Sequence, residues 1–349
     1  MDAASSGEDR RKGEVYHGGD LAAASLRFPD APKPWLDLST GINPVAYPVG
    51  ELSADAWTRL PESAAICSLE AAAAAAYGLR DATLAVAAPG AQALIQWLPR
   101  LVPARRVGIL GFTYAEHEAC WRAAGASVST VDGIEALEEA DVAIVVNPNN
   151  PDGRFVPREE LAALARRLAR KGAVLVVDEA FMDAEPASRS LAPILPPTGA
   201  VVLRSFGKLY GLAGLRLGFA VASPPLAAAV RQALGPWAVS GAAIAIGRKA
   251  LADTPWRERT IARLASDIAR LDTLLGGAGL AIIGGTALFR LARHARAAPW
   301  FEHLGRAGIL VRPFPARPDW LRFGLPGREA DWRRLEAALV DHRPSATTR

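Results

Sequence analysis

Lys208 stands in a Gly-rich stretch, S-F-G-K-L-Y-G-L-A-G-L-R-L-G-F-A, which starts at Ser205 and carries Arg216 eight residues after the lysine. An amine in otherwise apolar surroundings is pushed toward its neutral form, and a neutral amine can form a Schiff base with an aldehyde. Ser205 and Arg216 add a hydroxyl and a guanidinium, which together suit a phosphate. These are the parts needed to fix pyridoxal 5′-phosphate, which bears both an aldehyde and a phosphate.

Four further stretches could serve the same chemistry. Pro89-Gly90-Ala91-Gln92 lies between an apolar run and a helical pattern, and backbone amides at a helix start bind phosphate. Phe112-Thr113-Tyr114 offers an aromatic ring to a planar cofactor, with core packing as the competing reading. In Asn147-Pro148-Asn149-Asn150-Pro151-Asp152-Gly153 the Asn and Pro residues favour a fixed turn. An asparagine there could donate to a phenolate oxygen, although an ordinary loop explains the same residues. Asp178 ends the apolar run in Val176-Val177-Asp178-Glu179-Ala180-Phe181. A carboxylate at the tip of a buried strand is costly unless it meets a cation. A protonated pyridine nitrogen would be such a cation, and a helix N-cap is the alternative.

The elements that must position these groups can be read from periodicity. Apolar runs at Leu84 to Ala88, Arg106 to Leu110, Val142 to Val146, Ala173 to Val177, Ala200 to Leu203 and Gly218 to Ala222 read as strands. Helical patterns lie between them, as at Ala91 to Leu101 and Pro157 to Lys171. Apolar strands alternating with helices imply an α/β fold with a mostly parallel sheet covered on both faces. Ligands of such sheets sit at the carboxyl ends of the strands, and each stretch above follows a strand. Beyond Gly235 the pattern becomes that of a smaller α+β lobe. A long helix is expected over Pro255 to Leu275 and a final helix over Arg328 to His342. Short strands are expected at Leu280 to Ile283, Ala287 to Leu291 and Leu310 to Val311.

The chain of 349 residues is half apolar, enough for a large core. Its net charge of +4 comes from scattered arginines, so no nucleic-acid partner is expected. Cys67 and Cys120 lie far apart and suggest neither a disulfide framework nor a metal site. No run is long and apolar enough to span a membrane, and the polar start does not read as a signal peptide. A cytoplasmic protein with a flexible tail over residues 1–13 is expected.

Taken in order, the phosphate turn, the aromatic, N-P-N-N-P-D-G, D-E-A-F, S-F-G-K and the arginine resemble the fold-type I pyridoxal-phosphate enzymes, the aspartate-aminotransferase-like class. The resemblance implies that Lys208 is the Schiff-base lysine, Asp178 the partner of the pyridine nitrogen, Asn150 the contact to the ring hydroxyl and Tyr114 the stacking ring. It implies a phosphate cup of Gly90, Ala91, Gln92, Ser205 and Arg216. Arg322, in Trp320-Leu321-Arg322-Phe323-Gly324, matches the arginine that binds the substrate carboxylate. It further implies a homodimer, a large cofactor-binding domain over residues 46–230, and a small domain from residues 14–45 and 231–349. Three positions depart from the class pattern. Phe181 replaces a tyrosine, Gly207 a serine, and Leu60 a tyrosine that reaches across the dimer.

Tyr16-His17-Gly18-Gly19-Asp20, then Ser39-Thr40-Gly41-Ile42-Asn43-Pro44, together with Phe181, resemble the cobalamin-pathway threonine-phosphate decarboxylases, relatives of histidinol-phosphate aminotransferase. This implies decarboxylation of L-threonine O-3-phosphate to (R)-1-aminopropan-2-yl phosphate. The expected substrate site holds His17, Asn43 and Arg322, with Arg290 or Arg312 as further candidates. The assignment of substrate phosphate and carboxylate among them stays open. The alternatives are an aminotransferase acting on histidinol phosphate and a non-catalytic regulator of the same fold, although intact Lys208 and Asp178 argue against the second.

Overall fold

A computed structural model describes residues 17–341 of the chain. The expected tail over residues 1–13, and His342 of the expected last helix, lie outside the described residues. Strand β1 (Leu36–Asp37) precedes the large sheet of β2 (Ala85–Ala88), β3 (Arg106–Leu110), β4 (Ser127–Val131), β5 (Val142–Val146), β6 (Val174–Asp178), β7 (Ala200–Ser205) and β8 (Gly218–Ala222). Their spatial order is β2-β8-β7-β6-β5-β3-β4. Neighbours from β7 to β4 run parallel, and β8 runs antiparallel to both β7 and β2.

The cause is visible in the residues. The central strands are runs of Val, Ile, Leu and Ala with helices on both faces, so alternate side chains enter two separate cores. Ile144, Val176, Val201 and Leu203 pack on one face; Val145, Val177, Val202 and Val221 pack on the other. Between β7 and β8 the chain has only the short helix Phe206–Leu209 and one 3-10 turn. That segment carries no full crossover helix, and the chain returns antiparallel. Lys208 and Arg216 therefore share one connection at one end of the sheet. The edge strand β4 escaped the periodicity reading because only Val128 of its residues is buried.

The second part contains β9 (Ala281–Thr286), β10 (Phe289–Arg293), β11 (Ile309–Leu310), β12 (Arg312–Phe314) and β13 (Arg317–Gly324). An antiparallel sheet runs β12-β13-β10-β9, and β11 pairs in parallel with β1. The expected long helix spans Thr254–Gly277 and buries Leu264, Ile268, Leu271 and Leu275, three or four residues apart. β12 and β13 are strands of this part that the sequence reading lacked, and β13 matters for the site. Its polar start hides the strand, yet its buried end carries Arg322.

Candidate active site

The strand ends of the large sheet, the segment 39–42, and β12 and β13 surround a cavity of about 280 Å³. His17, Gly90, Ala91, Gln92, Tyr114, Asn150, Asp178, Ser205, Lys208, Arg216 and Arg322 all line it, as do Arg312, Phe181 and Gly207. Residues spread from position 17 to position 322 thus meet in one space.

Lys208 enters from the helical turn that follows β7. Its carbonyl accepts from Asn43 N–H at 3.0 Å, which fixes the backbone, and its Nζ lies 5.5 Å from the Phe181 ring centroid. Burial lowers the Lys208 pKa to about 8; the Arg322 charge acts in the same direction and Asp178 opposes it. In the cofactor-free chain, capture of pyridoxal 5′-phosphate is expected to rise with pH about a midpoint near 8, well below the ordinary lysine value of ~10.4. Arg322→Met removes a cation that disfavours the ammonium, so the midpoint should move up and capture at neutral pH should slow. Stopped-flow absorbance across pH measures both, and an unmoved midpoint would contradict the coupling.

Gly90 has φ +88° and caps the helix Ala91–Leu101. A Cβ there would lie 2.7 Å from Arg216 Nη2, so glycine is what lets the guanidinium come against the helix start. Arg216 itself adopts the left-handed conformation with φ +52°. Ser205, at the end of β7, and the first amides of the helix face the same space. A helix N-terminus, a hydroxyl and a guanidinium converge as a phosphate requires. The departure at Gly207 has a steric reason here: a Cβ would sit 2.8 Å from Ala213 Cα.

Asp178 is buried. Its Oδ2 lies 2.9 Å from His117 Nε2, and its Oδ1 accepts from Ala180 N–H at 3.0 Å. His117 was missed by the sequence reading. It sits in the helix Glu116–Ala123, one turn beyond Tyr114, and its only sequence signal is that placement after a strand end. Tyr114 donates to Gln92 Oε1 at 3.3 Å, and burial raises its pKa to about 12, which keeps the phenol neutral. Glu116 joins the rim: one oxygen accepts from Gln92 Nε2 at 2.6 Å, and the other lies 2.9 Å from His17 Nε2.

Arg322 is 2% exposed. It donates from Nη1 to Asn150 Oδ1 at 2.5 Å and from Nη2 to the Ser39 carbonyl at 2.7 Å. Its Nε has no protein hydrogen-bond partner. Burial and the neighbouring Arg312 push its pKa down. Among the described residues no carboxylate forms an ion pair with it, an arrangement suited to an incoming anion.

Two expected substrate contacts lie elsewhere. Asn43 is buried outside the cavity. Its Nδ2 donates to the Leu209 carbonyl at 2.8 Å, and its Oδ1 accepts from Val45 N–H at 3.1 Å and Arg263 Nη2 at 2.5 Å. These partners make it a brace for the Lys208 turn, outside the residues that line the cavity. Arg290 is engaged by Asp272, at 2.6 and 3.1 Å, and by the Thr286 carbonyl. Asn43→Ala is expected to lower stability by about 2 kcal/mol through stranded backbone and guanidinium groups, with the KM for substrate nearly unchanged. Chemical denaturation and steady-state kinetics test the two halves.

The donors fit pyridoxal 5′-phosphate. The Gly90 and Arg216 cradle would suit the phosphate and the partly buried Lys208 amine the aldehyde, while the buried Asp178 carboxylate lines the same cavity. Among the described residues no cluster of three or more His, Cys, Asp or Glu side chains is placed to hold a metal ion, and no helix is long and apolar enough to cross a membrane.

Residues 35–339 match the aminotransferase class I and II family. The chain is 45% identical over 335 residues to a threonine-phosphate decarboxylase of Pseudomonas aeruginosa, covering 95% of this chain and 99% of that protein. It is 45% identical over 329 residues to a threonine-phosphate decarboxylase of a Sinorhizobium species, covering 93% and 98%. The solved histidinol-phosphate aminotransferase of Sinorhizobium meliloti, in complex with pyridoxal-5′-phosphate, superposes with a TM-score of 0.82 at 22% identity over 97% of this chain and 98% of that one. At that identity the likeness speaks for the fold, whereas the near full-length relatives speak for the branch. The chain belongs to the class I and II aminotransferase family, among the threonine-phosphate decarboxylases.

Proposed function

We propose that this chain uses pyridoxal 5′-phosphate to decarboxylate L-threonine O-3-phosphate to (R)-1-aminopropan-2-yl phosphate and carbon dioxide, a step of cobalamin biosynthesis. The observation that carries the reading is the likeness at 45% identity, over nearly the whole of both chains, to proteins of that activity. When bound, the cofactor supplies an aldehyde for amines and a pyridinium ring that draws electrons from Cα. Gly90, Ala91, Gln92, Ser205 and Arg216 would hold its phosphate, Tyr114 would stack on its ring and Asn150 would meet the ring hydroxyl. Asp178 would keep the ring nitrogen charged, and His117 would orient that carboxylate.

Arg322 and Arg312, with His17 at the rim, receive the two anions of the substrate. Their task is orientation: the Cα–carboxylate bond must stand perpendicular to the ring if that bond is the one to break. Lys208 would hold the cofactor through its aldehyde, and its amine, lowered in pKa by burial, would be the group placed to return a proton to Cα.

The same groups can serve transamination, so products decide between the two outcomes. The chain is incubated with threonine phosphate and, separately, with histidinol phosphate and 2-oxoglutarate. Carbon dioxide and aminopropyl phosphate are expected in the first mixture. Glutamate in the second without carbon dioxide in the first would overturn the reading.

The reading extends to a cytoplasmic homodimer with a large domain over residues 46–230 and a small domain from 14–45 and 231–349. The β1 and β11 pairing, which ties the amino-terminal segment to the late strands, supports the division. Exposed Val45, Val49, Trp57 and Leu60 support an apolar surface that a second copy would cover. Sedimentation of the Trp57→Asp variant is expected to show monomer.

A further inference from the structure

Adjacent residues at the ends of β6 and β7 point to opposite sides of the strands. Asp178 and Ser205 face the cavity described above. Glu179 and Arg204, their immediate neighbours, face the reverse side and form a buried polar group. Arg204 Nη1 donates to Glu179 at 2.7 Å and its Nη2 donates to Asp183. Ser190 and the Leu191 amide complete the shell around Glu179 at 2.6 and 2.7 Å.

Against this group lies a second cavity of about 200 Å³, which reaches the surface beside Ala75, Gly78 and Ala187. Four residues that line it each carry a buried polar atom without a protein partner at full hydrogen-bond geometry: Tyr77 Oη, Asp183 Oδ2, Arg204 Nε and Arg257 Nε, with the Arg204 guanidinium near the Tyr77 ring at 4.3 Å and acting on its hydroxyl. Tyr77, Asp183 and Arg204 are 5%, 5% and 4% exposed. Buried polar atoms of this kind are normally paired, and each one left over costs on the order of 1–3 kcal/mol. Four at one cavity mark a place shaped for a polar occupant.

The atom types narrow the occupant. Burial raises the Tyr77 pKa well above its ordinary value, so its hydroxyl is a donor. The two arginine Nε groups are donors as well, while Asp183 Oδ2 is an acceptor. Arg204 already has two carboxylates beside it. Arg257 forms no ion pair among the described residues. A simple anion would satisfy Arg257 and Tyr77 but would meet the Asp183 charge. A simple amine would satisfy Asp183 but would meet Arg257. A molecule with a carboxylate and an ammonium two bonds apart satisfies both, and the apolar walls from Ala75, Ala76, Met182 and Pro193 leave room for a small side chain.

We propose that this cavity is a second site, distinct from the catalytic one, which binds a small zwitterionic α-amino acid. Its carboxylate pairs with Arg257 and Tyr77, and its ammonium pairs with Asp183.

Titration calorimetry tests this on holoenzyme whose cofactor has been fixed to Lys208 by borohydride, so that an amino acid cannot react at the catalytic site. The probes are glycine, L-serine and L-threonine, with acetate and methylamine as half-ligands. Saturable binding of at least one amino acid is expected, with each half-ligand at least tenfold weaker. Tyr77→Phe and Arg257→Met remove groups that have no protein hydrogen-bond partner at the atoms concerned, so both variants should fold normally. Each should weaken binding about tenfold. Absence of amino-acid binding, equal binding of acetate, or unchanged affinity in both variants would overturn the proposal. The proposed decarboxylation is read separately, from carbon dioxide release by untreated enzyme, and either reading can fail without the other.

Discussion

Lys208→Ala is expected to abolish the covalent link between chain and cofactor and to lower kcat/KM by at least ~10³-fold, about 4 kcal/mol of barrier. Among the described residues Lys208 is the lysine that lines the candidate site. Truncation at Cβ leaves the backbone bond from Asn43 in place, and Ser205, Arg216 and the helix amides remain to hold a phosphate. The variant should therefore fold and retain cofactor loosely. Borohydride treatment followed by mass spectrometry should add the cofactor's mass to the wild-type chain and not to the variant. Lys208→Arg keeps the positive charge but not a titratable amine, and should fail in the same way. Partial recovery of Lys208→Ala by a small added amine would support a proton-returning role. An adduct that persists in the variant would assign the link to another residue.

Much of the candidate site was legible because residues that meet at its cavity fall directly after hydrophobic strands. The run Val142 to Val146 places Asn150, the run ending at Val177 places Asp178, and the run from Ala200 places Ser205 and Lys208. Periodicity locates such strands, and the topology of a parallel sheet then gathers their ends. The pieces that were not legible depend on tertiary partners. Asn43 lies in a motif but is consumed by Leu209, Val45 and Arg263, and nothing in the local sequence reveals those distant partners. His117 acquires its place only when the helix beyond β3 brings its ring to Asp178 at the end of β6. Arg322 was found by resemblance, while its strand β13 was missed, since a charged residue in a half-polar run breaks the apolar pattern that marks a buried strand. The four atoms without a partner around the second cavity come from Tyr77, before β2, from Asp183 and Arg204, between β6 and the end of β7, and from Arg257, after β8.

Asp178→Asn is expected to lower kcat by about 10³-fold while the cofactor is still captured by Lys208. The carboxylate ends β6 in register with Val146 and Leu203. It is 3% exposed, with one oxygen at His117 and the other on the Ala180 amide. An amide has the same shape, so packing and the phosphate cup should survive. What it lacks is the negative charge that holds a proton on the ring nitrogen, and in a site shielded from water that charge acts on the barrier with little screening. A loss confined to the transition state appears in kcat with the KM nearly constant. Borohydride fixation followed by mass spectrometry should meanwhile show normal cofactor content. His117→Gln separates charge from orientation. It keeps a hydrogen-bonding group near Asp178 and leaves the carboxylate charged, so its cost should be closer to tenfold. Equal losses for the two variants would mean that the carboxylate and imidazole act as one unit. Near-normal turnover of Asp178→Asn would remove the ring nitrogen from the mechanism and leave the burden of carbanion stabilisation on the cations around Arg322.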